Sequence, residues 1–339
     1  MKDRAIHGGP VFGHVHVPRP GRDQAADDPR RVALLGTGRM GSAIAERLSA
    51  AGFQLTVWDR TRTRAEALAI GQVAGTPAEA ARTADVVVSS LTGPDAVRST
   101  YLSPEGALAG AVGQLFIDMS TAGPDSVAEL ASAIMPTGAR LVDAPILGSP
   151  AVVRAGQAAI LLGGDPSDAG RARAVLSAIG EVRQVGPLGS GARLKLIANS
   201  MLGDIILAAA ELQVAGEEAG LDPDEVFRVL QRLAPSLGAR RRGLVDDRHS
   251  PTLFALRDLS KDLGLAGALF DRLAAQVPIT RQAAELVRAA AAETPDLEIT
   301  AVVRPYRAGA LKVRRDGTHT PQWTLPMTSH ATPAPTLAR

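Results

Sequence analysis

The chain contains no cysteine and few aromatic residues. With no cysteine among its 339 residues, disulfides, thiolate nucleophiles and cysteine-ligated metal sites are excluded. Aromatic side chains make up only 3% of the sequence, so recognition of nucleic acid by base stacking is not expected. No run of about 18 apolar residues is present to span a membrane, and residues 1–30 hold no apolar segment typical of a signal peptide. We therefore expect a soluble, cytoplasmic protein that binds neither nucleic acid nor a membrane.

The charges are nearly balanced, and histidine is scarce between the termini. Lys and Arg number 37 against 35 for Asp and Glu, a formal net charge of +2, which is too small to attract phosphate backbones or anionic lipid over long range. A histidine-based metal site and a Ser-His-Asp triad are not expected, so the sequence predicts no metal. His249 lies in the body of the chain, and the other five histidines are His7, His14, His16, His319 and His330.

Composition divides the chain into two domains and two tails. Residues 1–30 and 305–339 are rich in proline, glycine or charge and are predicted to be disordered. Residues 31–192 alternate short apolar runs with helical patterns, which is typical of a doubly wound α/β domain. Residues 193–304 hold no convincing strand. The predicted fold class is α/β: an N-terminal Rossmann-type dinucleotide-binding domain, then an all-α domain that begins with a long interdomain helix.

Helix starts and stops are well marked in the sequence. The segment from Gly191 to Ala219 contains no proline and ends at Gly220, so it predicts one helix of about 30 residues. Thr76, Asp165 and Asp222 each precede a proline and an acidic first turn, which is typical of a helix N-cap. The predicted strands are 31–35, 54–58, 85–89, 115–118, 140–143, 158–162 and 181–185, and the later helices are 222–233, 256–274 and 279–293.

A glycine-rich turn links the first predicted strand to the first helix. The strand RVALL runs into the sequence Gly36-Thr37-Gly38-Arg39-Met40-Gly41, and the second strand ends at Asp59. This is the setting that a dinucleotide fingerprint requires. Glycines let the backbone approach a pyrophosphate, and the helix N-terminus offers free N–H groups to its charge. We therefore interpret the turn as a site for NAD or NADP, in preference to an ordinary glycine-rich turn.

The residues after the second strand point to different cofactors. Asp59 in this position hydrogen-bonds the ribose 2′-OH of NAD, whereas Arg60 and Thr61 can hold the 2′-phosphate of NADP. We favour NADP and expect Asp59 to be held away from the ribose by pairing with Arg60 or Arg62. NAD stays open as the alternative, with Arg60 a solvated turn residue.

Four further motifs follow in an order and spacing that resemble the β-hydroxyacid dehydrogenases. They are Asp118–Thr121, Asp143–Ser149, Gly189–Lys195 with Asn199, and Lys261–Leu263. The family includes 3-hydroxyisobutyrate dehydrogenases and glyoxylate/succinic semialdehyde reductases, and imine reductases and 6-phosphogluconate dehydrogenase are more distant relatives. The resemblance covers about 31–304 and implies an enzyme that uses NAD(P) to interconvert a hydroxyl, as in a β-hydroxyacid, and a carbonyl.

The resemblance also implies roles for individual residues. Lys195 is the implied catalytic acid/base, and Asn199 helps to bind the substrate. The physical pattern agrees, because residues four apart project from one helix face and because partial burial and the helix N-terminus both disfavour an ammonium ion. The other implied substrate-binding residues are Ser120, Gly148 and Ser149, and the other implied cofactor-binding residues are Leu91, Thr121 and Lys261.

Several alternatives stay open at this point. Lys261 could be a surface lysine between Asp258 and Asp262, and Ser120 could simply cap a helix. Leu147 stands where the family usually has a serine, which puts the substrate class in doubt and favours a less polar acid tail or another carbonyl compound. An imine or ketone reductase, or a catalytically silent NADP-binding module, is the alternative function. The long Ala-rich helix favours a homodimer or higher homo-oligomer.

Overall fold

The computed structural model of the chain describes residues 30–309. Residues 1–29 and 310–339, which are most of the predicted tails at 1–30 and 305–339, therefore lie outside the described residues. Within the described range, a sheet flanked by helices is followed by a helical domain. The fold class predicted from the sequence is confirmed.

Nine strands of the described chain form one sheet. Six parallel strands run in the order β3-β2-β1-β4-β5-β6, and β8 then lies antiparallel to β6, with β7 antiparallel and β9 parallel to β8. Because the strand order reverses at β1 and β4, a crevice opens at their carboxyl ends, where open α/β folds bind ligands. The strands are β1 (Arg31–Leu35), β2 (Gln54–Trp58), β3 (Gln72–Val73), β4 (Val86–Ser89), β5 (Leu115–Asp118), β6 (Arg140–Asp143), β7 (Ile146–Leu147), β8 (Ala158–Gly163) and β9 (Gly180–Gly186).

The helices include three whose N-caps were predicted. The side chains of Thr76, Asp165 and Asp222 each accept a hydrogen bond from a first-turn N–H. The helices between the strands are α1 (Arg39–Ala50), α2 (Arg62–Ala67), α3 (Pro77–Arg82), α4 (Pro94–Leu102), α5 (Gly123–Ile134), α6 (Pro150–Arg154) and α7 (Pro166–Leu176). Those of the helical domain are α8 (Ser190–Glu218), α9 (Pro223–Leu233), α10 (Arg241–Leu244), α11 (Leu256–Arg272), α12 (Pro278–Glu293) and α13 (Val303–Arg307).

Clusters of buried apolar side chains cover both faces of the sheet and fill the interior of the helical domain. Because successive side chains of a strand point to opposite faces, Leu34 packs in one cluster with Ile44, and Leu35 packs in the other with Phe116. The helical domain has its own core, in which Ala210 of α8 packs with residues of α11 and α12. The site described below lies where these two packed units meet.

Helix α8 begins at Ser190 and runs for 29 residues. By length and composition alone it is apolar enough to cross a membrane. Half of its most apolar window is buried within the protein, however, as in the core helix of a globular fold. The helix therefore joins the two domains and organises the second.

The predicted tail at 305–339 begins too early. Helix α13 continues to Arg307, whose guanidinium donates hydrogen bonds to Glu217 and to the carbonyl oxygens of Leu244 and Val245. A five-residue helix shows no readable periodicity, and its partners are distant in sequence, so no local pattern marks it. Strands β3 and β7 were missed for a similar reason, since two residues cannot show alternation.

Candidate active site

The glycine-rich turn has the shape of a pyrophosphate cradle. Gly36 has φ +95°, and a Cβ there would lie 2.5 Å from the carbonyl oxygen of Ser90. A Cβ on Gly41 would lie 2.0 Å from the carbonyl oxygen of Gly36, so glycine is needed for α1 to pack this closely. A Cβ on Gly38 would meet nothing within 4 Å, which leaves that backbone open to a ligand. Since α1 has neither a side-chain cap nor an acid in its first turn, its N–H groups fit a dinucleotide phosphate.

Arg39 and Met40 of this turn point in different directions. The Arg39 guanidinium donates a 2.6 Å hydrogen bond to the carbonyl oxygen of Thr252 and lies 3.6 Å from Asp258. Both partners belong to the helical domain, so Arg39 bridges the two domains beside the cofactor turn. Met40 is partly buried and packs against the sheet core, so its side chain contributes packing.

Asp59 is held in place by the glycine-rich turn. Its Oδ2 accepts hydrogen bonds from the Thr37 N–H at 2.8 Å and the Thr37 hydroxyl at 3.1 Å, and its Oδ1 accepts one from the Thr61 N–H at 2.8 Å. The expected pairing with Arg60 or Arg62 is therefore wrong, because Arg62 pairs with Glu66 at 2.7 Å. Within residues 30–309, Arg60 is exposed and makes no hydrogen bond or ion pair.

Lys195 projects from the second turn of α8 into a partly buried position. Its Nζ donates a 2.7 Å hydrogen bond to the carbonyl oxygen of Ile146. Burial lowers the pKa of the Lys195 amine to about 8; the negative charge of Asp262 opposes this shift and the positive charge of Lys261 adds to it. An amine with a pKa of about 8 can give or take a proton near neutral pH, which general acid–base chemistry requires.

Asn199, Asp262 and Lys261 form a connected group near Lys195. The Asn199 Nδ2 donates to Asp262 Oδ2 at 2.5 Å, and the Lys261 Nζ donates to Asp262 Oδ1 at 2.5 Å and to the carbonyl oxygen of Thr121 at 2.6 Å. Burial raises the pKa of Asp262, and the adjacent Lys261 charge opposes that shift. The interpretation of Lys261 as a surface lysine is wrong, because its amine joins the helical domain to the end of β5.

Ser120 and Leu91 connect the carboxyl ends of β4 and β5. The Ser120 hydroxyl accepts a 3.0 Å hydrogen bond from the Leu91 N–H, and the Ser120 N–H donates to Asp118 Oδ1 at 3.1 Å. Helix capping by Ser120 is not observed, since α5 begins at Gly123 without a side-chain cap. Ser120 therefore lies at the crevice edge of the sheet.

Gly148 and Ser149 form the turn that precedes α6. Gly148 has φ +152°, and a Cβ there would lie 3.2 Å from the Val152 side chain. The Ser149 hydroxyl accepts a 3.4 Å hydrogen bond from the Val152 N–H and so caps the helix. The turn begins two residues after Ile146, whose carbonyl group holds Lys195.

Two features of the sequence could have pointed to this site but were not considered: two acidic residues that prove to be buried, and the rarity of lysine. Asp143 and Asp262 are 1% and 2% exposed, although acidic side chains are seldom buried this completely. Only four of the 37 basic residues are lysines. Lys195 and Lys261 are the two within residues 30–309, and both belong to the site.

No group of three or more His, Asp or Glu side chains within residues 30–309 is arranged to hold a metal ion. His249 is buried, and its ring nitrogens lie 2.9 Å from the Thr300 hydroxyl and 2.7 Å from Asp247. These contacts indicate a structural role for His249 within the helical domain.

Two family models match successive parts of the chain. The model described as the NAD binding domain of 6-phosphogluconate dehydrogenase matches residues 31–189. The model described as NAD-binding of NADP-dependent 3-hydroxyisobutyrate dehydrogenase matches residues 189–306. Together they cover the sheet domain and the helical domain, and they support NAD(P) as the cofactor.

Individual relatives agree with these models. The N-PAC cytokine-like nuclear factor of Xenopus tropicalis is 30% identical over 285 residues, which are 82% of this chain and 53% of that protein; the chain thus spans about half the length of the N-PAC relatives it matches. Glyoxylate/succinic semialdehyde reductase 2 of Arabidopsis thaliana is 29% identical over 286 residues, 82% of this chain and 79% of that protein. The structure of Mycobacterium tuberculosis 3-hydroxyisobutyrate dehydrogenase with L-serine is 29% identical, has a TM-score of 0.74, and is matched over 82% of this chain and 99% of its own. On these models and relatives, the chain belongs to the β-hydroxyacid dehydrogenase family.

Proposed function

We propose that this chain is an NADP(H)-dependent dehydrogenase or reductase that interconverts a hydroxyl and a carbonyl, with Lys195 as the general acid/base. One observation carries the proposal. The Lys195 amine has a pKa of about 8 and lies on the same helix face as Asn199, at the junction of the sheet and the helical domain. A solvated surface lysine would have neither the burial nor these neighbours.

The chain's own residues supply the proton chemistry. When bound, the nicotinamide supplies or accepts the hydride. During reduction Lys195 gives a proton to the carbonyl oxygen, and during oxidation it takes one from the hydroxyl. Asn199 is held by Asp262 through its Nδ2, which leaves its Oδ1 to accept a hydrogen bond from the substrate.

Leu147 bears on the substrate class. It is partly buried in β7, one residue after the carbonyl group that holds Lys195, in the position where the family usually has a serine. A leucine offers no hydrogen bond to a carboxylate. We therefore propose a substrate with a less polar tail than a small β-hydroxyacid, and a ketone or imine is the second candidate on the same observation.

The contacts of Asp59 support the proposed preference for NADP(H). Thr37 and Thr61 occupy three of the roughly four acceptor positions of this carboxylate, which leaves little capacity for a ribose hydroxyl. Arg60 is exposed beside them and offers a charged fork of N–H donors that suits a 2′-phosphate. These two features together favour the phosphorylated cofactor.

We also propose that the protein is a homodimer or a higher homo-oligomer. Leu194, Ile197 and Met201 lie on one face of α8 and are 38%, 52% and 59% exposed. A row of exposed apolar side chains on a long helix is typical of a surface covered by a second copy. Sedimentation equilibrium tests this, and a monomer at micromolar concentration would contradict it.

The proposed activity is tested with a panel of small β-hydroxyacids, aldehydes, ketones and imines. Each is assayed with NADPH or NADP⁺, and Lys195→Met serves as the control for background reaction. We expect turnover of at least one hydroxyl or carbonyl compound by the wild type alone. Cofactor binding without turnover of any panel member would favour the silent binding module instead.

A further inference from the structure

The buried carboxylate of Asp143 links the end of β6 to the start of α8. Asp143 is 1% exposed. Its Oδ1 accepts a hydrogen bond from the Gly189 N–H at 2.7 Å, and its Oδ2 accepts one from the Ala192 N–H at 2.6 Å. Helix α8 has no side-chain cap from its own sequence. A carboxylate from a distant strand therefore satisfies two N–H groups at the helix start, those of the N-cap residue Gly189 and of Ala192.

The surrounding backbone is shaped to fit this carboxylate. A Cβ on Gly163 would lie 2.4 Å from Asp143 Oδ1, and a Cβ on Gly191 would lie 2.9 Å from Oδ2 and 2.2 Å from the carbonyl oxygen of Leu161. Larger residues at either glycine would push α8 away from the sheet. The contact thus depends on a close approach between β8, Asp143 and the helix start.

The segment that begins at Asp143 also holds α8 at a second point. Three residues further on, the carbonyl oxygen of Ile146 accepts the hydrogen bond from the Lys195 amine at 2.7 Å. The segment 143–146 therefore binds the backbone at the start of α8 and, one turn later, the side-chain amine of Lys195. A shift of the first turn would move Lys195 away from Ile146 and toward water.

We propose that Asp143 is a positioning residue that keeps Lys195 in its reactive setting by clamping the first turn of α8 to the 143–146 segment. This inference deepens the proposed function and rests on it for its catalytic consequence. The Asp143 carboxylate accepts hydrogen bonds from the backbone N–H groups of Gly189 and Ala192. It therefore affects Lys195 through the position of the helix and not by direct contact. The charges that act on the Lys195 amine are those of Asp262 and Lys261.

The acceptor capacity of the carboxyl group at this position supports the proposal. Burial raises the pKa of Asp143 to about 6; the hydrogen bonds from Gly189 and Ala192 oppose the shift, and the charge of Asp118, its neighbour in register on β5, adds to it. A buried carboxylate is costly unless its hydrogen bonds are fully made. A two-oxygen acceptor is the group that can hold both N–H donors at once.

The test compares Asp143→Asn with the matched control Asp168→Asn. The asparagine keeps the shape of Asp143 but turns an NH₂ group toward one of the two N–H donors. Asp168 is another buried acid, 5% exposed, that pairs with Arg140 at the opposite end of β6. Both variants remove a buried carboxylate associated with β6, since Asp143 is its last residue and Asp168 pairs with its first. Only the carboxylate of Asp143 holds α8.

The first readout is the pKa of Lys195, measured by NMR on protein labelled with ¹³C at lysine Cε. Only four lysines contribute signals, and the Lys195 signal is identified by its loss in Lys195→Met. We expect titration at about 8 in the wild type and in Asp168→Asn, and a shift toward the ordinary value of 10.5 in Asp143→Asn. An unchanged Lys195 pKa in folded Asp143→Asn would overturn the proposal.

The second readout is kcat with the substrate found in the panel. Displacement of a catalytic group by about 1 Å costs roughly 100-fold, so we expect kcat of Asp143→Asn to fall about 10- to 100-fold while that of Asp168→Asn is retained. If the Lys195 pKa shifts and kcat does not change, Asp143 positions Lys195 as proposed, but Lys195 is not the catalytic acid/base. If Asp143→Asn does not fold, Asp143→Ser, which keeps one acceptor, is measured by the same criteria.

Discussion

The side-chain amide of Asn199 donates a 2.5 Å hydrogen bond to the carboxylate of Asp262, 63 residues away in the sequence. An ionised carboxylate only accepts hydrogen bonds, so this contact fixes which end of the amide faces it. Under the proposed function, the Asn199 Oδ1 is the atom that accepts a hydrogen bond from the substrate. Asp262 is thus a positioning residue for Asn199, in addition to its contact with Lys261.

The direction of that hydrogen bond gives the first prediction. Asn199→Asp places two carboxylates against each other, so we expect a loss of stability of at least about 1–3 kcal/mol and a large loss of kcat/KM. Combining it with Asp262→Asn recreates a donor and an acceptor in the reverse order and should recover part of the stability. Urea denaturation of the two single variants and the double variant measures this. Additive losses in the double variant would contradict the pairing.

The second prediction concerns the cofactor. We expect the wild type to have the higher kcat/KM with NADP(H), and Arg60→Ala to lower that value by about 10- to 100-fold, the equivalent of roughly 1.5–3 kcal/mol for hydrogen bonds to a charged group, with little effect on NAD(H). Arg62→Ala is the matched control, because Arg62 is occupied by Glu66. Equal losses for both cofactors in Arg60→Ala, or a wild-type preference for NAD(H), would mean that Arg60 is only a turn residue.

The third prediction is a pH dependence of opposite sign in the two reaction directions. Reduction needs the Lys195 ammonium, so its kcat should be high below the pKa of about 8 and fall above it. Oxidation needs the neutral amine, so its kcat should rise with pH and level off above that pKa. Profiles of kcat against pH from 6 to 10, measured in both directions, check the sign. The same inflection in Lys195→Met would assign it to another group.

The fourth prediction tests the last helix. Arg307 is 25% exposed and donates to Glu217 and two backbone carbonyl groups, so Arg307→Ala should cost about 1–3 kcal/mol of unfolding free energy. Arg304→Ala is the control, because its pair with Asp247 is solvent-exposed on both sides and such pairs contribute about 0–1 kcal/mol. If the two variants unfold at the same urea concentration, Arg307 does not anchor α13.

Much of the fold was predictable because local patterns determine it. Strands β1, β2, β5 and β6 match their predicted bounds, since each is an apolar run next to polar or glycine residues. Helix α8 was predicted within one residue at each end, because it lacks proline and is followed by glycine. The two-residue strands β3 and β7 and the terminal helix α13 were not predicted, since they depend on packing and show no readable periodicity.

The contacts within the candidate site could not be predicted from the sequence. The family resemblance implied that Lys195, Asn199 and Lys261 serve one site, yet nothing local indicates that Lys195 donates to Ile146. The orientation of Asp59 was predicted with the wrong partners for the same reason. Its carboxylate is turned by Thr37, 22 residues earlier, and such a rotation is decided by three-dimensional proximity.

The central claim, that Lys195 transfers the proton, is tested most directly by kcat of Lys195→Met at saturating NADP(H). The Lys195 amine contacts the carbonyl group of Ile146, and the glycine-rich turn is built from other residues, so cofactor affinity should stay within a few-fold of the wild type. Loss of a general acid/base lowers the rate by about 10²- to 10⁴-fold, and we predict a fall in kcat of that size. Near wild-type kcat in Lys195→Met would contradict the account.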